Sequence, residues 1–265
     1  MPYAMLGSPA PIATTYGYQK FDPYSISGLA AWYDVSDMAT LFQNSNGTTA
    51  AVAQNDPVGF LQDKSQNGRH MTQSTNNDRP LLQLRSRNGL PSLLFDGTSD
   101  FLINTVSFLN GLPCSIAFVA QRESDNPAGA DRQVQAVISS GRAGGSGSPI
   151  FPSLRNNYGT PANVLSMHGA PRRNGGATTL TGDAPTSFMI GTGAAAFSVN
   201  APDAGDGVIL GATRDGGGVI GSSGSLNFRL HGRIGELIIY SRFLSLADRQ
   251  RLERYLSAKW DIPLT

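Results

Sequence analysis

The chain has 265 residues, 40% of them hydrophobic and only 15% charged, with a net charge of +1, 31 glycines, 16 prolines and one cysteine. A near-neutral balance argues against a chain whose main partner is nucleic acid. One cysteine excludes an internal disulfide, and no segment reaches the ~18 consecutive apolar residues of a membrane span. What remains is enough apolar material for one sandwich core, with glycine and proline predicting many short strands joined by tight turns.

Residues 1–25 stand apart. Their prolines block helix and central strand, and Tyr3, Tyr16, Tyr18, Phe21 and Tyr24 make the segment too aromatic for a plain disordered tail. The composition predicts an extended arm that packs either on its own domain or on a neighbouring subunit. No basic-then-apolar pattern marks a secretory signal, and folding in a reducing cytoplasm is the expectation.

Residues 26–265 form the expected domain. Strands are predicted over 29–33, 92–95, 101–103, 115–120, 134–139, 188–191, 208–211, 226–230 and 234–240, many of them continuously apolar. Asp96-Gly97 is a turn signal between two of them. Cys114 sits in the Cys114-Ser115-Ile116-Ala117-Phe118-Val119-Ala120 strand, where a buried inert thiol is expected. Long loops are predicted over 44–58, 125–132, 141–155 and 171–185. One helix closes the chain, capped by Ser245 with Asp248 three residues on. Leu252, Tyr255, Leu256 and Trp260 share its apolar face; Arg249, Glu253, Arg254 and Lys259 are expected to point elsewhere.

Four segments carry a resemblance. They are Gly28-Leu29-Ala30-Ala31-Trp32-Tyr33-Asp34-Val35-Ser36-Asp37, the Asp63-Lys64-Ser65-Gln66-Asn67-Gly68-Arg69-His70 run with Arg79-Pro80 after it, Leu93-Leu94-Phe95-Asp96-Gly97-Thr98-Ser99-Asp100-Phe101-Leu102, and the closing Gly232–Trp260 strand and helix. In this order they resemble the concanavalin A-like lectin/glucanase family in its laminin-G-like branch. The resemblance implies an all-β, two-sheet jelly-roll sandwich with one short C-terminal α-helix, preceded here by the extended arm. Fold alone leaves function open.

Catalytic chemistry is sought and not found. Glucanases on this fold carry a Glu-x-Asp-x-x-Glu strand motif, and retaining hydrolysis needs two carboxyls about 5 Å apart. The three glutamates, Glu123, Glu236 and Glu253, are far apart in sequence, and Glu236 is expected to pair with an arginine. There is no Gly-x-Ser-x-Gly elbow. His70, His168 and His231 sit in unrelated contexts without zinc spacing, and the glycine run at Gly141 lacks the Lys-Ser/Thr of a phosphate loop. Relatives often bind calcium through rim aspartates, so Asp34 with Asp37, Asp96 with Asp100, and Asp203 with Asp206 are candidates, though each is also a turn sequence. Trp32 and Trp260 are read as core. Tyr158, flanked by Asn156 and Asn157, is the candidate ligand-binding aromatic.

The expectation from sequence is therefore a non-enzymatic virion structural protein, of the type found in bacteriophage capsid decoration or tail-associated proteins. It would be held to viral capsid or tail proteins, or to further copies of itself, through the aromatic arm. No catalytic residue, metal ligand or cofactor is expected, with structural calcium as an open alternative. The alternative function is a carbohydrate-binding module, an adhesin or surface lectin, with a glycan at Asn156, Asn157 and Tyr158.

Overall fold

Residues spaced at every second position build two antiparallel sheets in the computed structural model of the chain. It describes residues 21–106, 108, 113–123, 134–140, 153–156, 163–166, 172–173, 176–177, 188–196, 207–214, 226–227 and 229–265. The strands in chain order are β1 (Leu29–Asp34), β2 (Leu41–Phe42), β3 (Phe60–Leu61), β4 (Met71–Thr72), β5 (Leu81–Arg87), β6 (Leu90–Asp96), β7 (Leu102–Asn104), β8 (Pro113–Arg122), β9 (Val134–Ala136) and β10 (Ile138–Ser140). They continue with β11 (Ser153–Asn156), β12 (Asn163–Ser166), β13 (Arg172–Arg173), β14 (Gly176–Ala177), β15 (Met189–Ala196), β16 (Val208–Leu210), β17 (Thr213–Arg214), β18 (Leu226–Asn227) and β19 (His231–Tyr240). Helix α1 (Leu246–Trp260) follows.

The larger sheet runs β14-β13-β15-β8-β19-β6-β5, with β1 also paired to β19. The second runs β10-β16-β7-β4-β3-β2, and short β12-β11-β9 and β17-β18 ribbons complete the described strands. Tyr33, Phe95, Phe118, Leu237 and Ile239 from the large sheet meet Leu41, Leu61, Met71, Leu102 and Leu210 from the second in one buried core. This is an all-β sandwich with a C-terminal helix.

Alternation sends the other side chains of the large sheet to the opposite face. Trp32, Ala117, Val119, Ile190, Ile238 and Tyr240 pack there against Leu252, Leu256 and Trp260 of α1. The helix starts as the sequence predicts: Ser245 Oγ accepts from Asp248 N at 3.1 Å. Its last carbonyls are met by the β5–β6 hairpin, where Asn88 Nδ2 donates to Lys259 O (2.9 Å) and Arg87 Nε to Trp260 O (3.1 Å). Gly235 makes room for Trp260 against β19, since a Cβ there would meet the indole at 2.4 Å.

Several expectations need correction. Strands β2 to β5 were not predicted; β2, β3 and β4 are two residues each, too short to show a period. The segment expected as one strand over 134–139 is two, β9 and β10, separated at Val137. The predicted loop 44–58 carries isolated bridges Phe42↔Ala50 and Pro57↔Leu81, and those over 141–155 and 171–185 include β11 residues, β13 and β14. Loop 125–132 lies outside the described residues. Glu253 does not point away from the sheet: it is 2% exposed, accepting from Thr192 Oγ1 (2.7 Å) and bridged to Arg249 (2.6 Å).

Candidate functional site: a carboxylate pair beneath the C-terminal helix

Strand β1 pairs with β19 so that Asp34 stands opposite Glu236. Asp34 lies two residues from Trp32, and Glu236 two from Ile238, so both carboxylates share the helix-facing side. Glu236 has no exposure and accepts four hydrogen bonds. Trp32 Nε1 (2.9 Å) and Tyr255 Oη (2.8 Å) donate to Oε1; Lys259 Nζ (2.8 Å) and Trp260 Nε1 (2.8 Å) donate to Oε2. Lys259 Nζ also lies 2.7 Å from Asp34 Oδ1, bridging the two. The expected arginine partner of Glu236 is thus a lysine, with Asp34 as companion.

Burial and the Asp34 charge hold the Glu236 carboxyl above the usual carboxylate range against the pull of Lys259. Burial pushes Asp34 up too, but the Lys259 charge and bond, Ser36 and Lys64 outweigh it and Asp34 ends below its ordinary value. The two carboxyls hold their protons oppositely, which is the condition for dividing acid and base roles.

Towards solvent the network continues through Lys64. Its Nζ lies 3.2 Å from Asp34 Oδ2 and 2.7 Å from Asp37 Oδ2, and 4.4 Å from the Trp32 ring centroid. The Asp37 side chain is 39% exposed, so this is the open end of the site. Lys64 is placed by its turn: Asp63 Oδ1 accepts from Trp32 N (2.9 Å) and Ser65 N (2.8 Å), and Oδ2 from Arg69 N (3.0 Å). Asn67 Nδ2 and Arg69 Nη1 donate to Ala30 O at 3.0 and 2.8 Å, fastening the turn along the outer edge of β1.

The arm aromatics divide. Phe21 lies 5.2 Å from the Tyr255 ring and Tyr24 stands edge-on to Trp32 at 6.0 Å, so both pack on their own domain. Tyr3, Tyr16 and Tyr18 lie outside the described residues, as do Asn157, Tyr158, His168, Asp203 and Asp206; Asn156 ends β11. Trp32 and Trp260 are buried as expected, and both also serve Glu236.

Among the calcium candidates, Asp34 and Asp37 are held by ammonium groups. Asp96 Oδ1 accepts from the backbone of Thr98 (2.8 Å), Ser99 (2.8 Å) and Asp100 (3.0 Å), the turn arrangement its sequence predicts. Asp100 Oδ2 accepts from Asp96 N at 2.9 Å. No group of three or more metal-ligating side chains occurs among the described residues. His70 Nδ1 accepts from Asp63 N (3.1 Å), and Cys114 is buried.

The Asp34–Glu236–Lys259 cluster leaves no local mark in the sequence, because Asp34 is 225 residues from Lys259 and the strand register joins it to the other two. The available signal was alternation, which puts one carboxylate of each strand on the side of the tryptophans.

No family model matches the chain, and no curated protein matches it. Among solved structures it is similar to Trypanosoma rangeli sialidase in complex with the inhibitor DANA, at 10% identity and a TM-score of 0.47 over 91% of this chain and 34% of that one. An arabinofuranosidase complexed with arabinofuranosyl-α-1,2-xylobiose matches at 13% identity and a TM-score of 0.45, over 77% of this chain and 51% of that one. The chain thus spans about a third to a half of the chains it matches. Both are carbohydrate-acting enzymes, and this finding overturns the expectation of a capsid or tail component and, with it, the exclusion of enzymes.

Proposed function

We propose that the chain is a carbohydrate-recognising sandwich domain of concanavalin A-like, jelly-roll type, with its ligand at the open end of the Asp34–Glu236 cluster. The observation that supports this is the Lys64–Asp37 pair at the surface, beside Trp32 and above Asp34. An ammonium and a carboxylate 2.7 Å apart offer a donor and an acceptor to neighbouring hydroxyls of one sugar ring, and aromatic rings alongside suit its apolar face. Calorimetric titration with neutral oligosaccharides tests the reading. Lys64→Ala should weaken binding roughly tenfold or more, the scale of one lost charge-assisted hydrogen bond. Tyr158→Ala, run in parallel, decides between this site and the Asn156, Asn157 and Tyr158 candidates. Absence of binding to any oligosaccharide would remove the proposal.

A further inference from the structure

The segment 21–25 touches the candidate site at two points that share one atom. Phe21 rests on Tyr255, and Tyr24 on Trp32. Tyr255 and Trp32 are the two aromatics that donate to Glu236 Oε1. The segment therefore lies across the aromatic shelf of the carboxylate pair, where the apolar face of a sugar would have to stack.

Its attachment is uneven. Pro23 is its buried residue, Ile26 just after it is buried too, and Tyr240 Oη donates to Pro23 O at 3.0 Å. The turn between them is short and local, with Asp22 capping Tyr24 N at 2.9 Å. The two aromatics are held more lightly. Tyr24 is 42% exposed and donates its hydroxyl to Lys64 O; Phe21 is partly buried, with the Arg251 guanidinium 5.4 Å from its centroid. Arg251 Nη2 donates to Ser25 Oγ at 3.1 Å on the exposed side. Two buried anchors thus carry two partly exposed rings, and together they cover the site.

We infer that residues 21–25 are a built-in cap whose Phe21 and Tyr24 rings occupy the aromatic subsite of a carbohydrate ligand and compete with it. This rests on the carbohydrate reading of the same site. The ligand class is a neutral sugar: the site holds three carboxyl groups, Asp34, Asp37 and Glu236, against the ammonium groups of Lys64 and Lys259. Around the carboxylate pair itself the negative groups outnumber the positive ones, which disfavours an acidic sugar.

The test compares the full chain with Phe21→Ser, Tyr24→Ser and the double variant, keeping Pro23 and Ile26 intact. Hydrogen exchange of the Trp32 and Trp260 indole N–H groups, followed by NMR, reads the cover without a ligand. Titration with xylotriose and lactose reads competition. Each single change should speed exchange at Trp32 and tighten sugar binding by roughly fivefold, the scale of one aromatic contact, with Trp260 exchange unmoved. Faster exchange at both tryptophans would mean that α1 has loosened, and would overturn the cap. Sugar binding that depends on Lys64 but is unchanged in the variants overturns the cap and leaves the carbohydrate reading standing. If no form binds either sugar, the carbohydrate reading at this site falls and the competition falls with it, whatever the exchange rates show.

Discussion

Asp34 and Glu236 face each other across two antiparallel strands with one ammonium group, Lys259 Nζ, within 2.8 Å of both. One cation is thus shared by two carboxylates that burial has removed from water, with Lys64 as a second partner of Asp34. The geometry is good, with Trp32, Tyr255 and Trp260 filling the remaining lone pairs of Glu236, so the charges are tolerated because each is answered.

Lys259→Met keeps the stem packing and removes the cation. It should destabilise the fold by about 3–5 kcal/mol at neutral pH, the cost of leaving a buried charge without its partner. Adding Glu236→Gln should recover part of that loss, since the two positions are directly coupled. Denaturant titration of the two single variants and the double one measures both; additive effects would show that the contact carries no stabilisation.

Asp100 gives the fold a pH dependence of unusual sign. Burial, followed by the Asp96 and Asp78 charges, pushes its carboxyl from the ordinary 3.8 to about 8. The folded chain therefore binds this proton more tightly than the unfolded chain. Its contribution to stability is complete below pH 3.8 and is lost as pH rises towards about 8. Asp96 behaves oppositely. Burial pushes it up, but the Thr98 hydroxyl and three backbone N–H groups outweigh this and hold it low. Its contribution is present above its ordinary value and lost only as pH falls below it. Asp100→Asn imitates the protonated form, so it should flatten the decline in melting temperature between pH 5 and pH 8. A decline equally steep in the variant would show that the proton sits elsewhere.

Gly235→Ala places a methyl group 2.4 Å from the Trp260 ring. Trp260 has no exposure and its indole N–H is committed to Glu236, so the ring cannot swing aside without breaking that bond. Overpacking of this kind costs about 1–3 kcal/mol. The accompanying sign should be a shifted Trp260 indole N–H resonance, with the backbone resonances of the Asp96–Asp100 turn unmoved.

How much of this was readable in the chain depended on range. Helix α1 was legible because its cap, its apolar stripe and its end all lie within sixteen residues. Glu253 escapes the periodic reading, which assigns a face but cannot see Thr192 on β15, whose hydroxyl donates to the carboxylate. The β5–β6 hairpin had a local signal that went unused, the Asn88-Gly89 dipeptide, both of whose residues adopt positive φ (50° and 73°). The carboxylate pair had none, because register between the first and last strands is set by the whole sheet. Trp32 and Trp260 were read as core from their apolar surroundings; their indole N–H groups, which serve the site, leave no mark on hydrophobic spacing.

The turn from Asp63 to Arg69 has a consequence of another kind. By spending its side-chain donors on Ala30 O and placing Asp63 against Trp32 N, it leaves the outer border of the first strand no free backbone groups along that stretch. A bare border is where one sheet recruits another, molecule after molecule. This turn therefore guards solubility as well as placing Lys64, and damage to it would surface first as particles scattering light in a cuvette, before any unfolding is seen.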